Sequence, residues 1–311
     1  MNYIKQIAFI SLSMLIVTCS LFTKPDENNE DPIESIINSV NIDSLTNYVN
    51  ILSGEIPVII YNQEEQITSR HSEHDGNVTA GKYLYTKLNE YNLTVSNQYN
   101  ESARNIIATQ TGREHPDQIY IICAHYDCYP DSSIAPGADD NASGTAAVIE
   151  AARIISQFET TYTIVYALWD EEEQGLLGSI YYAALANAKN VNILGVINID
   201  MIGWDSDNDR TILINTRTEP NSIPISDKAL YVIEEYGLGL NPEIVLPGSG
   251  SDNLVFWYFG FNAIGIEEHW AIDWNDHYHT TEDQIDNFNI PYFHEASKLA
   301  IGTIAELAEI L

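Results

Sequence analysis

Basic residues are scarce in this sequence. Only 13 lysines and arginines stand against 45 aspartates and glutamates, and the formal net charge at pH 7 is −32. Binding of nucleic acid, or of an anionic membrane surface, depends on cationic side chains that displace counterions from phosphates. The scarcity therefore excludes nucleic acid as an expected partner. It does not identify a substrate, because an acidic surface most often serves solubility.

Cysteine is rare as well, with three residues in a chain of 311. Cys123 lies in an apolar run that reads as a strand, and Cys128 lies in the segment that follows it. A disulfide between two such near neighbours would strain the end of that strand, because the bridge demands a specific separation of the two Cα atoms. We therefore expect Cys123 and Cys128 to be free thiols.

The N-terminal apolar stretch, 7–18, is shorter than the roughly 20 residues that a membrane-spanning helix needs. It follows a lysine and precedes Cys19, a pattern typical of an export signal. We expect a signal peptide over 1–18, a polar tether over 19–39 and no transmembrane domain. Cys19 resembles the cysteine of a lipoprotein cleavage site, although Thr18 departs from the usual Gly or Ala. A lipid anchor in the cell envelope of a bacterium and simple secretion both stay open.

Residues 40–311 have the pattern of one continuous domain, and 45% hydrophobic residues are enough for a large core. Helical spacing also marks 41–54 and 77–92, with N-cap candidates at Asp43 and Asn77. Short apolar runs then alternate with further helical patterns. The predicted strands are 104–112, 118–127, 161–170, 193–200 and 262–268, and the later helices are 145–158, 176–188, 226–237, 252–260 and the segment from Pro291. The alternation predicts an α/β fold, with a mostly parallel sheet buried by helices on both faces.

Polar residues with metal-ligating side chains follow the predicted strands. They are His125 and Asp127, the run 170–173, and Asp200; Asp139 and Asp140 come directly before a helix, and His277 and His279 lie in a later loop. In a parallel sheet these positions meet beyond the carboxyl ends of the strands, where ligands bind.

So many carboxylates at one edge would repel one another unless a cation neutralises them. Imidazole and carboxylate ligands, with no cysteine thiolate obviously placed among them, favour a catalytic zinc ion, or another divalent metal such as cobalt or manganese. The ligands outnumber what one tetrahedral zinc needs. Two metal ions that share a carboxylate fit the count.

Five motifs occur in order along the chain: HYD (125–127), GADDNASG (137–144), WDEEEQGLLGS (169–179), NIDMIG (198–203) and YHTTED (278–283). Together they resemble the secreted bacterial di-zinc leucine aminopeptidase family, whose relatives include glutamate carboxypeptidase II and the glutaminyl cyclases. The similarity covers 40–311. It implies a zinc peptidase catalytic domain with the three-layer, phosphorylase/hydrolase-like sandwich of the zinc exopeptidases, and two zinc ions per chain.

The resemblance also implies a role for individual residues. The implied metal ligands are His125 and Asp200 for one ion, Glu173 and His279 for the other, and Asp140 as the bridge between them. The bridging aspartate of this family is followed by a cis peptide bond, here Asp140–Asn141. Glu172 is the implied general base and Tyr278 the implied oxyanion donor. Asp127 would orient His125, and Asp252 is a supporting candidate near the site.

Several activities share this set of motifs. The cyclases usually depart from the GADDNASG pattern, and glutamate carboxypeptidases carry extra domains and an arginine-rich pocket. An aminopeptidase that acts on peptides is therefore favoured, and we expect it to be a monomer. A non-catalytic envelope binding protein of the same fold would have lost the base or a ligand. Two further motifs have simpler interpretations: HSEHDG (71–76) predicts surface histidines, and DSDNDR (205–210) predicts a polar turn.

Overall fold

The computed structural model describes residues 31–100 and 102–311. Its helices are α1 (Pro32–Asn38), α2 (Ile42–Leu52), α3 (Asp75–Asn89), α4 (Gly144–Ile155), α5 (Leu177–Ala188), α6 (Ile223–Glu235), α7 (Asp252–Tyr258) and α8 (Ile290–Ala308). Its strands are β1 (Val58–Ile60), β2 (Gln63–Glu65), β3 (Thr94–Asn100), β4 (Ala103–Gln110), β5 (His115–His125), β6 (Tyr162–Trp169), β7 (Asn192–Ile199), β8 (Thr211–Asn215), β9 (Asn241–Val245) and β10 (Ala263–Glu268).

An eight-stranded sheet with the order β3-β4-β6-β5-β7-β10-β8-β9 forms the centre of the fold. Its four central strands, β6, β5, β7 and β10, run parallel. Towards the edges, β4 pairs antiparallel with β3 and β6, and β8 runs antiparallel to β10 and parallel to β9. The carboxyl ends of the central strands therefore share one edge, the position at which open α/β sheets bind ligands.

Helices cover both faces of this sheet. Along β5, Ile122 and Ala124 face the larger core, which includes α4 and α8, whereas Ile121 and Cys123 face the smaller core beneath α5 and α7. Burial on both faces explains why the central strands are almost continuously apolar. The predicted three-layer α/β architecture is confirmed, and the sheet is parallel in its centre but mixed overall.

The sequence pattern missed strands at the margins of the sheet. The edge strands β3 and β9 consist largely of polar or exposed residues. A strand that packs few side chains into the core lacks the apolar run that reveals a buried strand. The two edge strands therefore left little trace in the sequence, and β8, which the pattern also missed, is buried and apolar but only five residues long.

The last part of the predicted tether, 19–39, is helical, because α1 lies within this range and packs against α8. The side chain of Asp31 caps the helix by accepting the backbone N–H of Ile33 at 2.9 Å. The buried face of α1 consists of Ile33, Ile36 and Ile37. This i, i+3, i+4 spacing is a helical signal, and the surrounding acidic and polar residues concealed it.

Both N-cap candidates are wrong. Asn41 caps α2 through its side chain, and Asp43 lies inside the first turn. Helix α3 starts at Asp75, so Asn77 is already helical. Its side-chain amide instead donates to Oδ1 of Asp170 at 2.8 Å, which ties α3 to the segment after β6.

The two cysteines of the predicted domain, Cys123 and Cys128, are free and buried, as expected. Among the described residues, no helix has the length and apolar character needed to cross a membrane. The predicted signal peptide, 1–18, and Cys19 lie outside the described residues.

Candidate active site

The predicted ligands come together at the carboxyl edge of the parallel strands. His125 is the last residue of β5, Asp200 follows β7, and Glu173 lies in the loop after β6. Asp140 lies in the kinked turn directly before α4, where its backbone angles are not helical, and His279 lies in the loop between β10 and α8. The topology therefore converts five distant positions of the sequence into one cluster.

This cluster consists of two groups that share one residue. The His125 group contains His125, Asp140 and Asp200, and the His279 group contains His279, Asp140 and Glu173. Within each group the ligand-type atoms all lie within 4.8 Å of one another. The structure thus brings together all five residues that the resemblance implied as ligands.

Asp140 contributes a different oxygen to each group. Its Oδ1 lies 3.3 Å from Nε2 of His125, and its Oδ2 lies 3.1 Å from Nε2 of His279. Oδ1 of Asp200 is 3.4 Å from Nε2 of His125, and Oε2 of Glu173 is 3.1 Å from Nε2 of His279. A tetrahedral zinc ion with bonds of about 2.1 Å holds its ligand atoms roughly 3.4 Å apart. The observed separations are close to that value.

Unpaired polar atoms in the His279 group also favour a cation. Oε1 of Glu173 is buried and has no hydrogen-bond partner among the described residues, and Nε2 of His279 meets neither of the two carboxylate oxygens 3.1 Å away in good hydrogen-bond geometry. Buried polar atoms are normally hydrogen-bonded, so each such atom requires an explanation. One imidazole and two carboxylates in each group make a donor set that suits zinc. The residues present therefore fit a divalent cation in each group.

Asp127 lies behind His125 and is fully buried. Nδ1 of His125, the ring nitrogen that faces away from Asp140 and Asp200, lies 3.4 Å from Oδ1 of Asp127 and 3.3 Å from the backbone carbonyl oxygen of the same residue. The two carboxylate oxygens of Asp127 also accept the backbone N–H groups of Glu172 and Glu173, each at 3.1 Å. One carboxylate thus orients the imidazole and fixes the loop after β6, an arrangement typical of support for a metal ligand.

The segment around Asp140 is held by a second buried carboxylate, Asp283. Its two oxygens accept the backbone N–H groups of Asp139 at 3.0 Å and of Asp140 at 3.1 Å. The peptide bond between Asp140 and Asn141 is cis, as the resemblance implied. Sequence reasoning missed Asp283, although it stands four residues after His279 within the YHTTED motif.

Asp139 belongs to neither group. Its carboxylate accepts the backbone N–H of Gly203 at 2.8 Å and the side-chain amide of Asn275 at 2.9 Å. Burial raises the pKa of Asp139 to about 6. Asp139 therefore links the segment before α4 to two neighbouring loops, and Asp140 alone of the pair faces both histidines.

Three residues at or beside the centre have left-handed backbone angles. The φ values are 57° at Glu171, 53° at Met201 and 58° at His279. Residues other than glycine rarely adopt such angles, and those that do cluster at functional sites.

The histidines carry raised pKa values because carboxylates surround them. Burial lowers the pKa of His125, but Asp200 and its other acidic neighbours more than compensate and raise it well above the usual range. Burial likewise lowers the pKa of His279, while Asp140 and Glu173 raise it to about 9. Protons on these rings partly neutralise the carboxylates, so a metal ion that binds here must displace them.

Glu172 and Asp252 border the His125 group without belonging to it. Burial raises the pKa of the Glu172 carboxyl to about 10, and Asp252 and Asp200 add to the rise against the opposing effect of His125. Burial also raises the pKa of Asp252 to about 7, and neither of its oxygens accepts a hydrogen bond. Divalent cations beside these groups would lower both pKa values.

A cavity of about 440 Å³ opens onto both groups. Glu172 and Tyr278 line it, together with Glu267, Trp270 and Trp274. The ring of Tyr278 stacks on His279 with 3.7 Å between centroids, and burial raises the pKa of its hydroxyl, which therefore stays protonated. Every residue predicted for the site thus lies at or beside this cavity except Asp127 and Asp252, which are buried behind it.

Comparison with known proteins gives the family. The sequence model of peptidase family M28 matches residues 105–304. Aminopeptidase YwaD of Bacillus subtilis is 28% identical over 272 residues, which make up 82% of this chain and 57% of YwaD. This chain therefore spans little more than half the length of that relative.

Two solved structures are also similar. The LapA aminopeptidase of Legionella pneumophila superposes with a TM-score of 0.76 at 21% identity, over 93% of this chain and 78% of that one. BSAP, described as a zinc aminopeptidase from Bacillus subtilis, superposes with a TM-score of 0.58 at 26% identity, over 66% of this chain and 50% of that one. The suspected resemblance is confirmed: the chain belongs to peptidase family M28.

Proposed function

We propose that this protein is a zinc-dependent aminopeptidase that removes N-terminal residues from peptides. The observation that carries the proposal is the position of the Asp140 carboxylate between the two groups. One of its oxygens faces His125 and the other faces His279. YwaD, LapA and BSAP are named aminopeptidases, and BSAP is described as a zinc enzyme. Family membership together with a complete ligand set supports the same activity here.

His125, Asp200 and Asp140 would hold one zinc ion, and Glu173, His279 and Asp140 the second. When bound, the two ions would supply Lewis acidity that polarises the scissile carbonyl and lowers the pKa of the attacking water. The family match and the unpaired atoms of the His279 group support this assignment.

Glu172 is the proposed general base. It lines the cavity, and Asp127 holds its backbone N–H at 3.1 Å. The carboxylate takes a proton from the attacking water as the oxygen bonds to the carbonyl carbon, and it returns this proton to the amine as the C–N bond breaks. The neighbouring carboxylates raise its proton affinity, which favours the first transfer, from the attacking water to Glu172.

Tyr278 is the proposed donor to the developing oxyanion. Its hydroxyl belongs to a ring that stacks on His279 and packs edge-on against Trp274, with centroids 5.2 Å apart in the second contact. These two contacts limit the freedom of the ring. A donor that is already oriented stabilises the transition state without further reorganisation.

The charge of the cavity supports a free N-terminus as the recognised group. Glu267 and Glu268 line it in addition to the proposed ligands, and none of the described residues that line it is a lysine or arginine. Burial raises the pKa of Glu267 to about 8 and that of Glu268 well above its usual range, and an α-ammonium group beside them would favour their ionised forms. A terminal carboxylate would instead need a cationic partner. The cavity therefore favours an aminopeptidase over a carboxypeptidase.

The test combines metal analysis with a panel of substrates. Elemental analysis of the purified protein should give two zinc ions per chain, and aminoacyl 4-nitroanilides should be hydrolysed until a chelator removes the metal. The N-acetylated forms of the same anilides are the matched control and should not react. Hydrolysis of the acetylated forms, or no hydrolysis after zinc is restored, would contradict the proposal. Loss of ammonia from N-terminal glutamine peptides without hydrolysis would indicate a cyclase instead.

We also propose that the protein is exported, on the basis of the apolar stretch 7–18 and of Cys19. Fractionation of cells that express the full chain should give the protein outside the cytoplasm. Incorporation of labelled palmitate in the wild type but not in Cys19→Ala would indicate a lipid anchor. Release of unlabelled protein into the medium would favour simple secretion, and cytoplasmic protein would contradict export.

A further inference from the structure

The two histidines of the HSEHDG motif do not form a plain surface pair as expected. His71 is only 7% exposed, and the side chain of His74 is 29% exposed. The loop after β5 brings Asp131 against them, although the two segments are almost 60 residues apart in the sequence. We call these three residues the His71 cluster. Sequence reasoning found no carboxylate partner for the histidines because Asp131 comes from a different loop.

The spacing of the His71 cluster is that of a metal site. Nε2 of His74 lies 3.0 Å from Oδ1 of Asp131, and Nδ1 of His71 lies 3.9 Å from the same oxygen. The ligand-type atoms all lie within 4.8 Å of one another. Ligand atoms around a tetrahedral zinc ion are roughly 3.4 Å apart, and the two measured separations lie on either side of this value.

An ordinary ion pair explains only part of this arrangement. A protonated His74 would satisfy Asp131, but His71 would remain without a role. Its Nδ1 is unprotonated, because it accepts a long 3.3 Å hydrogen bond from the backbone N–H of Glu73. A cation between Nδ1 and the Asp131 oxygen, which are 3.9 Å apart, would replace this long hydrogen bond as the partner of the lone pair.

The ligand types indicate which cation would bind. Two imidazoles and one carboxylate favour zinc, copper or nickel over calcium and magnesium, which prefer oxygen ligands. We propose that His71, His74 and Asp131 form a third metal site, separate from the two groups of the active site and selective for a transition-metal dication such as Zn²⁺. The 66% exposed side chain of Asp131 leaves room for water at the remaining coordination position.

The proposed site adjoins the active site but shares no ligand with it. The ring of Tyr129 lies between them, with its centroid 6.3 Å from that of His71 and 4.6 Å from that of His279. A metal ion in the His71 cluster would join the loop that carries Tyr129 and Asp131 to the segment before α3. It would thereby fix a wall beside the His279 group.

Calorimetric titration tests the proposal on the full chain with its active-site ions already bound. Zinc chloride should add one further ion per chain to the wild type. His74→Gln and Asp131→Asn should lose this ion or bind it at least about tenfold more weakly. Removing a residue that only supports a metal ligand already weakens metal binding by about tenfold, so removing a ligand should cost at least as much. Both residues are partly exposed, so these variants should fold, and thermal unfolding at low zinc checks that they do.

Two matched variants separate the His71 cluster from other sites. His115→Gln changes an exposed histidine elsewhere, and Asp207→Asn changes an exposed residue of the acidic loop 205–210. Both should keep the additional ion. A wild type that binds no further ion would overturn the proposal, and so would retention of that ion in both His74→Gln and Asp131→Asn. The titration reads metal binding alone, so its outcome does not depend on whether the protein hydrolyses aminoacyl substrates.

Discussion

Asp127→Asn should weaken metal binding although Asp127 touches no proposed metal position. The substitution keeps the shape of the side chain but removes its charge and replaces one oxygen by an NH₂ group. In the wild type, the Asp127 carboxylate faces Nδ1 of His125 at 3.4 Å and accepts the backbone N–H groups of Glu172 and Glu173, each at 3.1 Å. Asparagine can accept only one of those N–H groups through its oxygen.

The expected magnitude follows from these contacts. Hydrogen bonds to a charged acceptor contribute about 1.5–3 kcal/mol, and a buried donor left without an acceptor costs about 1–3 kcal/mol. We expect the free energy of unfolding of the metal-free protein to fall by about 2–4 kcal/mol. Zinc affinity should fall by about 10–100-fold, because the imidazole of His125 loses the charged partner that increases its basicity, although the backbone carbonyl of residue 127 stays beside Nδ1.

Asp170→Asn is a suitable control. Asp170 is also a buried carboxylate, and it accepts the side-chain amide of Asn77 at 2.8 Å and the backbone N–H of Arg104 at 2.9 Å. It belongs to neither group of ligands, so its substitution should reduce stability without a comparable loss of zinc affinity.

Urea unfolding of the metal-free protein and zinc competition with a fluorescent chelator measure the two quantities separately. Wild-type zinc affinity in Asp127→Asn would refute the orienting role. An equal loss of affinity in Asp170→Asn would show that general loosening, and not the contact with His125, weakens the metal site.

Three further predictions concern the centre itself. Glu172→Gln should keep both metal ions and lose about 10²–10⁴-fold in kcat, and near-normal turnover in a metal-loaded sample would show that another group is the base. Asp140→Ala should lose metal from both groups in elemental analysis, whereas full metal content would show that Asp140 is not the bridge. In the metal-free protein the pKa of His279 is raised to about 9, so its stabilising contribution is complete below about pH 6.5 and is lost as the pH rises towards 9. The melting temperature in chelator should therefore fall across this window, and a rise would contradict the assigned ion pairs.

Four of the five proposed ligands could be placed at this edge from a local signal, whereas His279 lies in a loop and its role was implied only by the resemblance. His125 and Asp200 end or follow apolar strands, and such strands are recognisable from their composition alone. Glu173 and Asp140 lie in turns next to a strand or a helix, so the order of elements already brings them to one edge. The same reasoning reached the central parallel strands and the helices that cover them.

Residues that act through long-range hydrogen bonds could not be predicted in this way. Asp283 fixes the backbone of Asp139 and Asp140 from more than 140 positions away. Asp131 meets His74 across two loops. Neither contact has a periodic or compositional signal, because each depends on how loops pack and not on the element from which the residue comes. The polar edge strands escaped detection for a related reason, since they bury too little apolar surface to be distinctive.

The scarcity of basic residues affects how the carboxylates of this centre are neutralised. Arg70 is fully buried, and its guanidinium donates to the backbone carbonyls of Leu52, Tyr126, Pro136 and Gly137. It pairs with no carboxylate in the part of the chain that the structure describes. The acidic side chains of the centre are therefore left to histidine protons and to metal ions for neutralisation. A lysine or arginine among them would neutralise the carboxylates permanently and compete with an exchangeable cation. Unpaired acids here make metal binding stabilise the fold, since each bound cation removes repulsion that the metal-free protein must otherwise bear.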